Sequence, residues 1–347
     1  MKFPKFLKRN SFFFCMADMI IIGSIGLDDI TTPFGTVTNA IGGSATYASY
    51  AASFFTERKI KLGLVAIAGQ DLPTNYFDLL KNRNIDLTGV VIQGKNFRWS
   101  GKYEHDMQVA HTLKTELNSL MDFQAELPEE YKSAKYILLA NNPPALQLKV
   151  LSQLKQPKFV MLDSMNLWIE NQKEQLLEVI KKVDALVIND GEARMLFNTV
   201  NLVQAARQAL KLGIKYCIIK KGEHGALLFA KENKTENSDT AKEHHFSAPA
   251  YPLEVIKDPT GCGDCFAGGM LGYLASIDNN NNNNNISNNS NNSLSNIHFL
   301  QQLKKAIIYG SVVASFNAEE FSLGKLQQIS LVDIEKRYKE FEAMREF

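Results

Sequence analysis

Long apolar stretches are missing from this sequence. Its longest runs, such as residues 60–68, are of strand length, well short of the ~18–20 residues that a spanning helix requires. No membrane partner is therefore expected. An excess of one charge is missing too. Lys and Arg number 38 against 37 Asp and Glu, which gives no electrostatic ground for a nucleic-acid partner. Cysteine is scarce, four in 347 residues, so the chain is no disulfide scaffold. Cys15 and Cys217 have no partner at metal-ligand spacing, and a structural zinc site needs four ligands. This usage fits a reducing compartment, and a cytoplasmic protein is expected. Chain is plentiful: 347 residues suffice for one large α/β domain with insertions.

Residues 1–17 read MKFPKFLKRNSFFFCMA, basic and without an acid before Asp18. That composition fits an unstructured extension, with translation starting at Met16 or Met19, or a mitochondrial presequence. Residues 18–347 are expected to form one domain. Within it short apolar runs alternate with amphipathic stretches. Residues 19–22, 62–67, 136–139, 159–162, 185–188 and 216–219 read as strands, and 43–55, 75–81, 172–181 and 202–210 as helices. The alternation predicts an α/β fold: a mainly parallel central sheet with helices on both faces. Ligands bind such sheets beyond the carboxyl ends of the strands.

Two segments near 28–40 and 88–105 break the rhythm and are expected to pair as a small β-sheet lid. An asparagine tract breaks it again. Twelve of the eighteen residues from 279 to 296 are Asn, too little apolar area to order the segment. A disordered surface insertion is expected there.

From residue 258 the chain reads DPTGCGDC. Residues 253–256 read as a strand and 265–276 as a helix, so the turn opens a helix. Gly261 and Gly263, with Cys262 between them, let backbone approach a ligand closely. The free N–H groups of the first helical turn converge at that spot, an arrangement that stabilises charge on a phosphoryl group in transfer. Asp264 at the rim can take a proton from an attacking hydroxyl, and the helix dipole favours its ionised form. A plain helix cap is the other reading of Asp264. Cys262 and Cys265 invite a redox or metal role, since a helix N-terminus lowers a thiol's pKa. That role explains neither the glycines nor the aspartate.

Asp258, Gly261, Gly263 and Asp264 fill a D-x-x-G-x-G-D pattern. Here the chain resembles the ribokinase-like family of sugar and nucleoside kinases, the phosphofructokinase-B type, and three further motifs follow in family order. The first is GSIGLDD with IGGSATYAS. The resemblance implies that Asp28 binds substrate hydroxyls and that Gly42 and Gly43 let backbone approach the substrate. A carboxylate there suits a vicinal diol. Tyr47 stands where relatives acting on ribosides commonly carry Asn, so it either reshapes the acceptor pocket or packs into the core. The second motif is NDGEARML. By resemblance Asn189 and Glu192 organise Mg²⁺ near the phosphates, largely through water, although the pair also reads as a capping box.

The third is IIKKGEHGALLF, whose resemblance carries a nucleotide site onto Gly222 and Gly225. Lys220 replaces a Thr of many relatives, either as a phosphate contact or as an exposed lysine. Asn317 falls at the helix end expected to border the adenine. Arg98, Trp99 and Tyr103 fall in the lid, Arg98 as a substrate contact and Trp99 as a stacking surface, or either as lid packing. The resemblance thus implies an ATP- and Mg²⁺-dependent kinase acting on an alcohol of a sugar or nucleoside. It leaves open a monovalent cation, and whether the protein is a monomer or a homodimer through the lid. The rival is a catalytically silent nucleotide-binding relative that acts as an interaction protein.

Overall fold

The structure, a computed structural model, describes residues 5–6, 16–58, 60–73, 75–231, 243–283 and 292–344. Most of the N-terminal extension and the middle of the asparagine tract lie outside the described residues. The strands in chain order are β1 (Lys5–Phe6), β2 (Met19–Ile22), β3 (Gly26–Thr32), β4 (Gly35–Gly42), β5 (Leu62–Ala68), β6 (Ile85–Ile92) and β7 (Phe97–Tyr103). Then follow β8 (Ala110–Glu116), β9 (Tyr136–Leu139), β10 (Phe159–Asp163), β11 (Ala185–Asn189), β12 (Tyr216–Lys220), β13 (Ala226–Lys231) and β14 (Glu243–Ala248). The helices are α1 (Ser44–Ser53), α2 (Asn75–Lys81), α3 (Pro144–Gln153), α4 (Asn166–Asn171), α5 (Lys173–Ile180), α6 (Asp190–Phe197) and α7 (Leu202–Lys211). Then come α8 (Cys262–Asn283), α9 (Asn292–Ala318) and α10 (Leu331–Ala343).

Ten strands form one sheet in the order β1-β6-β5-β2-β9-β10-β11-β12-β13-β14. β6 through β12 run parallel, while β1, β13 and β14 pair antiparallel at the two edges. Successive side chains of a strand point to opposite faces, and here both faces are apolar. Met19 and Ile21 enter a core with α1, α8, α9 and α10. Ile20 and Ile22 enter a second core with α3, α5, α6 and α7. That double burial explains why the parallel strands read as unbroken apolar runs. From β2 the chain proceeds to β5 and β6 on one side and to β9, β10 and onward on the other. The crevice at this reversal is where open α/β sheets bind ligands.

The lid is a separate sheet of four strands, β4-β3-β7-β8. Three expectations need correction. Residues 88–92 belong to β6 of the main sheet, because Val90 is wholly buried there. Residues 253–256 form no strand; flanked by Pro252 and Pro259 they run irregularly, and Val255 is exposed. The asparagine tract is helical at both ends, since α8 reaches Asn283 and α9 begins at Asn292.

Candidate active site

The segment before α8 is tied down by Asp258, which is wholly buried. Its carboxylate accepts the Thr260 N–H at 2.8 Å and the Ser322 N–H at 3.1 Å. Gly261 then turns with φ +76°, and a Cβ on it would stand 2.4 Å from the Tyr47 ring. No side chain fits. Below this turn the Asn317 amide donates to the Thr260 carbonyl at 2.8 Å and to Cys262 Sγ at 3.5 Å. Asn317 is wholly buried and braces the turn from beneath. Above it, Thr260 Oγ1 donates to Tyr103 Oη of β7 at 3.3 Å, joining turn and lid. These ties fix the turn where α8 begins.

Charged groups surround that mouth. Asp264 lies half-buried in the first turn of α8. Burial, then the Asp163 carboxylate, push its pKa up to about 7 against the pull of Lys220. Burial thus opposes the preference for the ionised form that the helix dipole gives Asp264. Lys220 ends β12 and lies against Gly263, whose Cβ would stand 2.9 Å from Lys220 Nζ. Its ammonium donates to Asp163 Oδ2 at 2.9 Å. Burial works against that charge, but Asp163, Glu192 and Asp264 together hold the lysine above its usual pKa. Asn189 and Glu192 form a reciprocal capping box at α6, each backbone N–H donating to the other's side chain at 2.8 Å. Burial raises Glu192 to about 7, with Lys220 lowering it and Asp163 adding to the rise.

On the acceptor side Asp28 is 3% exposed and presses against Gly42, where a Cβ would stand 1.9 Å from Oδ2. Burial, then Asp258 and Asp264, raise it to about 8, while the Gly43 N–H pulls the other way. Gly43 caps α1. Beside it Ser44 Oγ donates to the Asn141 carbonyl at 3.1 Å, fixing this turn at the sheet's reversal point. Tyr47 is 1% exposed and belongs to the core. Its ring lies beneath Gly261 and its buried phenol feels the Asp28 and Asp258 carboxylates, so it does not form an open pocket wall.

The lid register decides which of its residues meet the cleft. Strands β3 and β7 are parallel with Asp28 beside Trp99 and Ile30 beside Gly101, so these four share one face. The Trp99 indole lies against Gly101 and donates from Nε1 to Thr112 Oγ1 at 3.2 Å. Arg98 falls beside Leu27 on the opposite face. Its guanidinium donates to Asn39 Oδ1 at 2.7 Å and to Asp71 Oδ2 at 3.3 Å. Arg98 is thus apart from the group that gathers around Asp28.

Gly222 and Gly225 flank the turn between β12 and β13. The loop joining β7 to β8 touches this turn: Gln108 Nε2 donates to Glu223 Oε1 at 2.9 Å. Lid and turn therefore meet across the cleft. The thiols do not support a redox centre. Burial pushes Cys262 up to about 12 and Cys265 well above its usual value. Among the described residues no three His, Cys, Asp or Glu side chains could cage a metal ion. Sequence reasoning missed Asp163, although its signal was an acid directly ending a buried apolar strand. It also assigned no ties to Asp258, Thr260 and Tyr103.

Comparison with known proteins is consistent with this geometry. The profile of the pfkB family of carbohydrate kinases matches residues 17–329. A cytidine kinase of Thermococcus kodakarensis is 30% identical over 260 residues, covering 74% of this chain and 88% of the relative. A nucleoside kinase of Methanocaldococcus jannaschii, an archaeal member of the ribokinase family, superimposes with a TM-score of 0.67 at 16% identity, over 94% of this chain and 99% of its own. A candidate ribokinase II of E. coli in complex with ATP and Mg²⁺ gives a TM-score of 0.66 at 15% identity, over 94% and 100% of the two chains.

Proposed function

Since the chain belongs to the pfkB family of carbohydrate kinases, ATP-dependent enzymes acting on hydroxyl groups, we propose that it phosphorylates a nucleoside hydroxyl with Asp264 as base. The observation that carries the acceptor class is the shared face of Asp28 and Trp99. A carboxyl group whose two oxygens can bond neighbouring hydroxyls suits a ribose diol, and an indole on the same lid face suits a planar base. The cytidine kinase relative supports the same class.

In this reading the acceptor lies against the lid face that carries Asp28 and Trp99, and the γ-phosphate of ATP lies at the N–H groups around Gly261, Cys262 and Gly263. The acceptor oxygen attacks in line. Its bond to phosphorus forms as the bond to the ADP oxygen breaks, and its proton passes to Asp264. A base with a pKa near 7 is matched to that task at neutral pH. The helix N–H groups and Lys220 take up the phosphoryl charge. Gly222 and Gly225 leave room for the nucleotide beside β12.

Three carboxylates, Asp163, Glu192 and Asp264, share one buried cation, Lys220. That oxygen-rich excess of negative charge fits Mg²⁺, which keeps several waters and needs few protein ligands. Glu192 and Asn189 would hold the ion, chiefly through water, since their capping box already engages one Glu192 oxygen and the single side-chain oxygen of Asn189. When bound, Mg²⁺ neutralises phosphate oxygens. Asp264, the glycines, Asn189 and Glu192 are all present in the sequence, which favours an enzyme over a silent nucleotide-binding relative. The test is ADP release with Mg-ATP across nucleosides and plain sugars. Nucleosides are expected to be the better acceptors; turnover only with sugars that carry no base would overturn the nucleoside assignment.

A further inference from the structure

Asp163 is 4% exposed, yet nothing in the fold requires a carboxylate at the end of β10. Its two oxygens are spoken for in different ways. Oδ1 accepts the Ser164 N–H at 2.9 Å, which fixes the side chain's rotation. Oδ2 accepts from Lys220 Nζ at 2.9 Å, across the end of β11, which lies between the two strands. Lys220 is itself largely enclosed, its side chain 15% exposed, and its ammonium lies against Gly263. A lysine held by one rigid partner is a fixed charge, where a free lysine would sample many rotamers.

We infer that Asp163 is a positioning residue, which pins the Lys220 ammonium at the mouth of α8 so that it meets the γ-phosphate and sets the charge balance around Asp264. This rests on the reading of Asp264 as base. The pair acts on two things at once. Lys220 adds positive charge where the transferring group accumulates negative charge, and it does so without reorganising during transfer. The ion pair also places a carboxylate and an ammonium near the base, with opposite effects on its proton. The other charged or titratable groups facing Asp264 are Glu192 on α6, Asp28 on β3, and Cys262 and Cys265 on α8 itself.

Two measurements on Asp163→Asn and Lys220→Gln test this. The first is equilibrium binding of ADP and of a non-hydrolysable ATP analogue. Both variants should bind the analogue about tenfold more weakly, the loss of one charge-assisted contact, with ADP affinity unchanged. A residue that merely supports the fold would weaken both ligands together, and that result, or no loss at all, overturns the inference. The second is the ascending limb of kcat/KM against pH. Asp163→Asn removes a negative charge and should move the limb to lower pH; Lys220→Gln removes a positive charge and should move it higher. Shifts in the same direction, or none, also overturn it. The double variant removes both charges and serves where a single one does not fold. In it the analogue should still bind about tenfold more weakly, and retained affinity overturns the inference. Full activity in Asp264→Asn would instead refute the base assignment, which keeps the two failures distinct.

Discussion

The Tyr47 ring occupies the space that any side chain on Gly261 would need, 2.4 Å from an added Cβ. The floor of the candidate phosphate site is therefore set by an aromatic ring of the core. Gly261→Ala meets both that ring and a φ of +76°, and should cost about 1–3 kcal/mol of stability together with most of the turnover. Tyr47→Phe keeps the ring and removes a buried hydroxyl that lacks a hydrogen-bond partner. Thermal melts should show stability held or raised by about 1 kcal/mol, with kcat retained. A large fall in kcat for Tyr47→Phe would place that hydroxyl on the acceptor after all.

Asp28 should make the folded protein sensitive to pH. Its folded pKa of about 8 stands above the usual carboxylate value of 3.8. The folded state therefore keeps a proton that the unfolded chain releases, and stability falls as pH rises between those two values. Asp28→Asn removes the slope. Its Tm relative to the parent should climb from about pH 4 to about pH 8 and then level off, while acceptor binding is lost. A Tm difference that does not grow with pH would contradict the buried, protonated Asp28.

Much of this was legible in the residues. Runs such as MIII and LGLVAIA announce strands because both faces of the sheet are covered. The D-x-x-G-x-G-D turn announces its helix. By contrast β8, AHTLKTE, is an exposed edge strand with no apolar alternation, so local pattern carried no signal. The failure at 253–256 has the opposite cause: LEVI is apolar enough for a strand, yet it runs irregularly and leaves Val255 exposed. The two readings of Arg98, substrate contact or lid packing, needed register to separate, since one residue's shift moves a side chain to the other face. The Asp163–Lys220 pair spans two ends of strands that are not neighbours in the sheet, which no local pattern reports.

Trp99, on the same lid face as Asp28, gives a specificity test. Base stacking on an aromatic residue is worth ~1–3 kcal/mol by alanine substitution. Trp99→Ala should therefore raise KM for nucleosides by about tenfold or more and leave plain sugars unaffected. An equal change for both acceptor types would show that Trp99 only packs the lid.

Thiol chemistry should be silent in the native protein. With Cys262 pushed up to about 12, roughly one thiol in ten thousand is ionised at pH 8. Alkylating reagent should label Cys262 and Cys265 only after unfolding, read by mass spectrometry, and Cys262→Ala should keep its activity. Rapid native labelling of Cys262 that abolishes turnover would reopen a redox role.

The most direct measurement is the pH dependence of nucleoside phosphorylation by the parent protein and by Asp264→Asn, with Mg-ATP and folding checked by circular dichroism. The parent should show kcat/KM rising with pH through about 7, as burial and Asp163 set Asp264 there. Asp264→Asn should fold normally, lose the rising limb and turn over ~10²–10⁴-fold more slowly. A folded variant with near-parental turnover and the same limb would contradict Asp264 as the base.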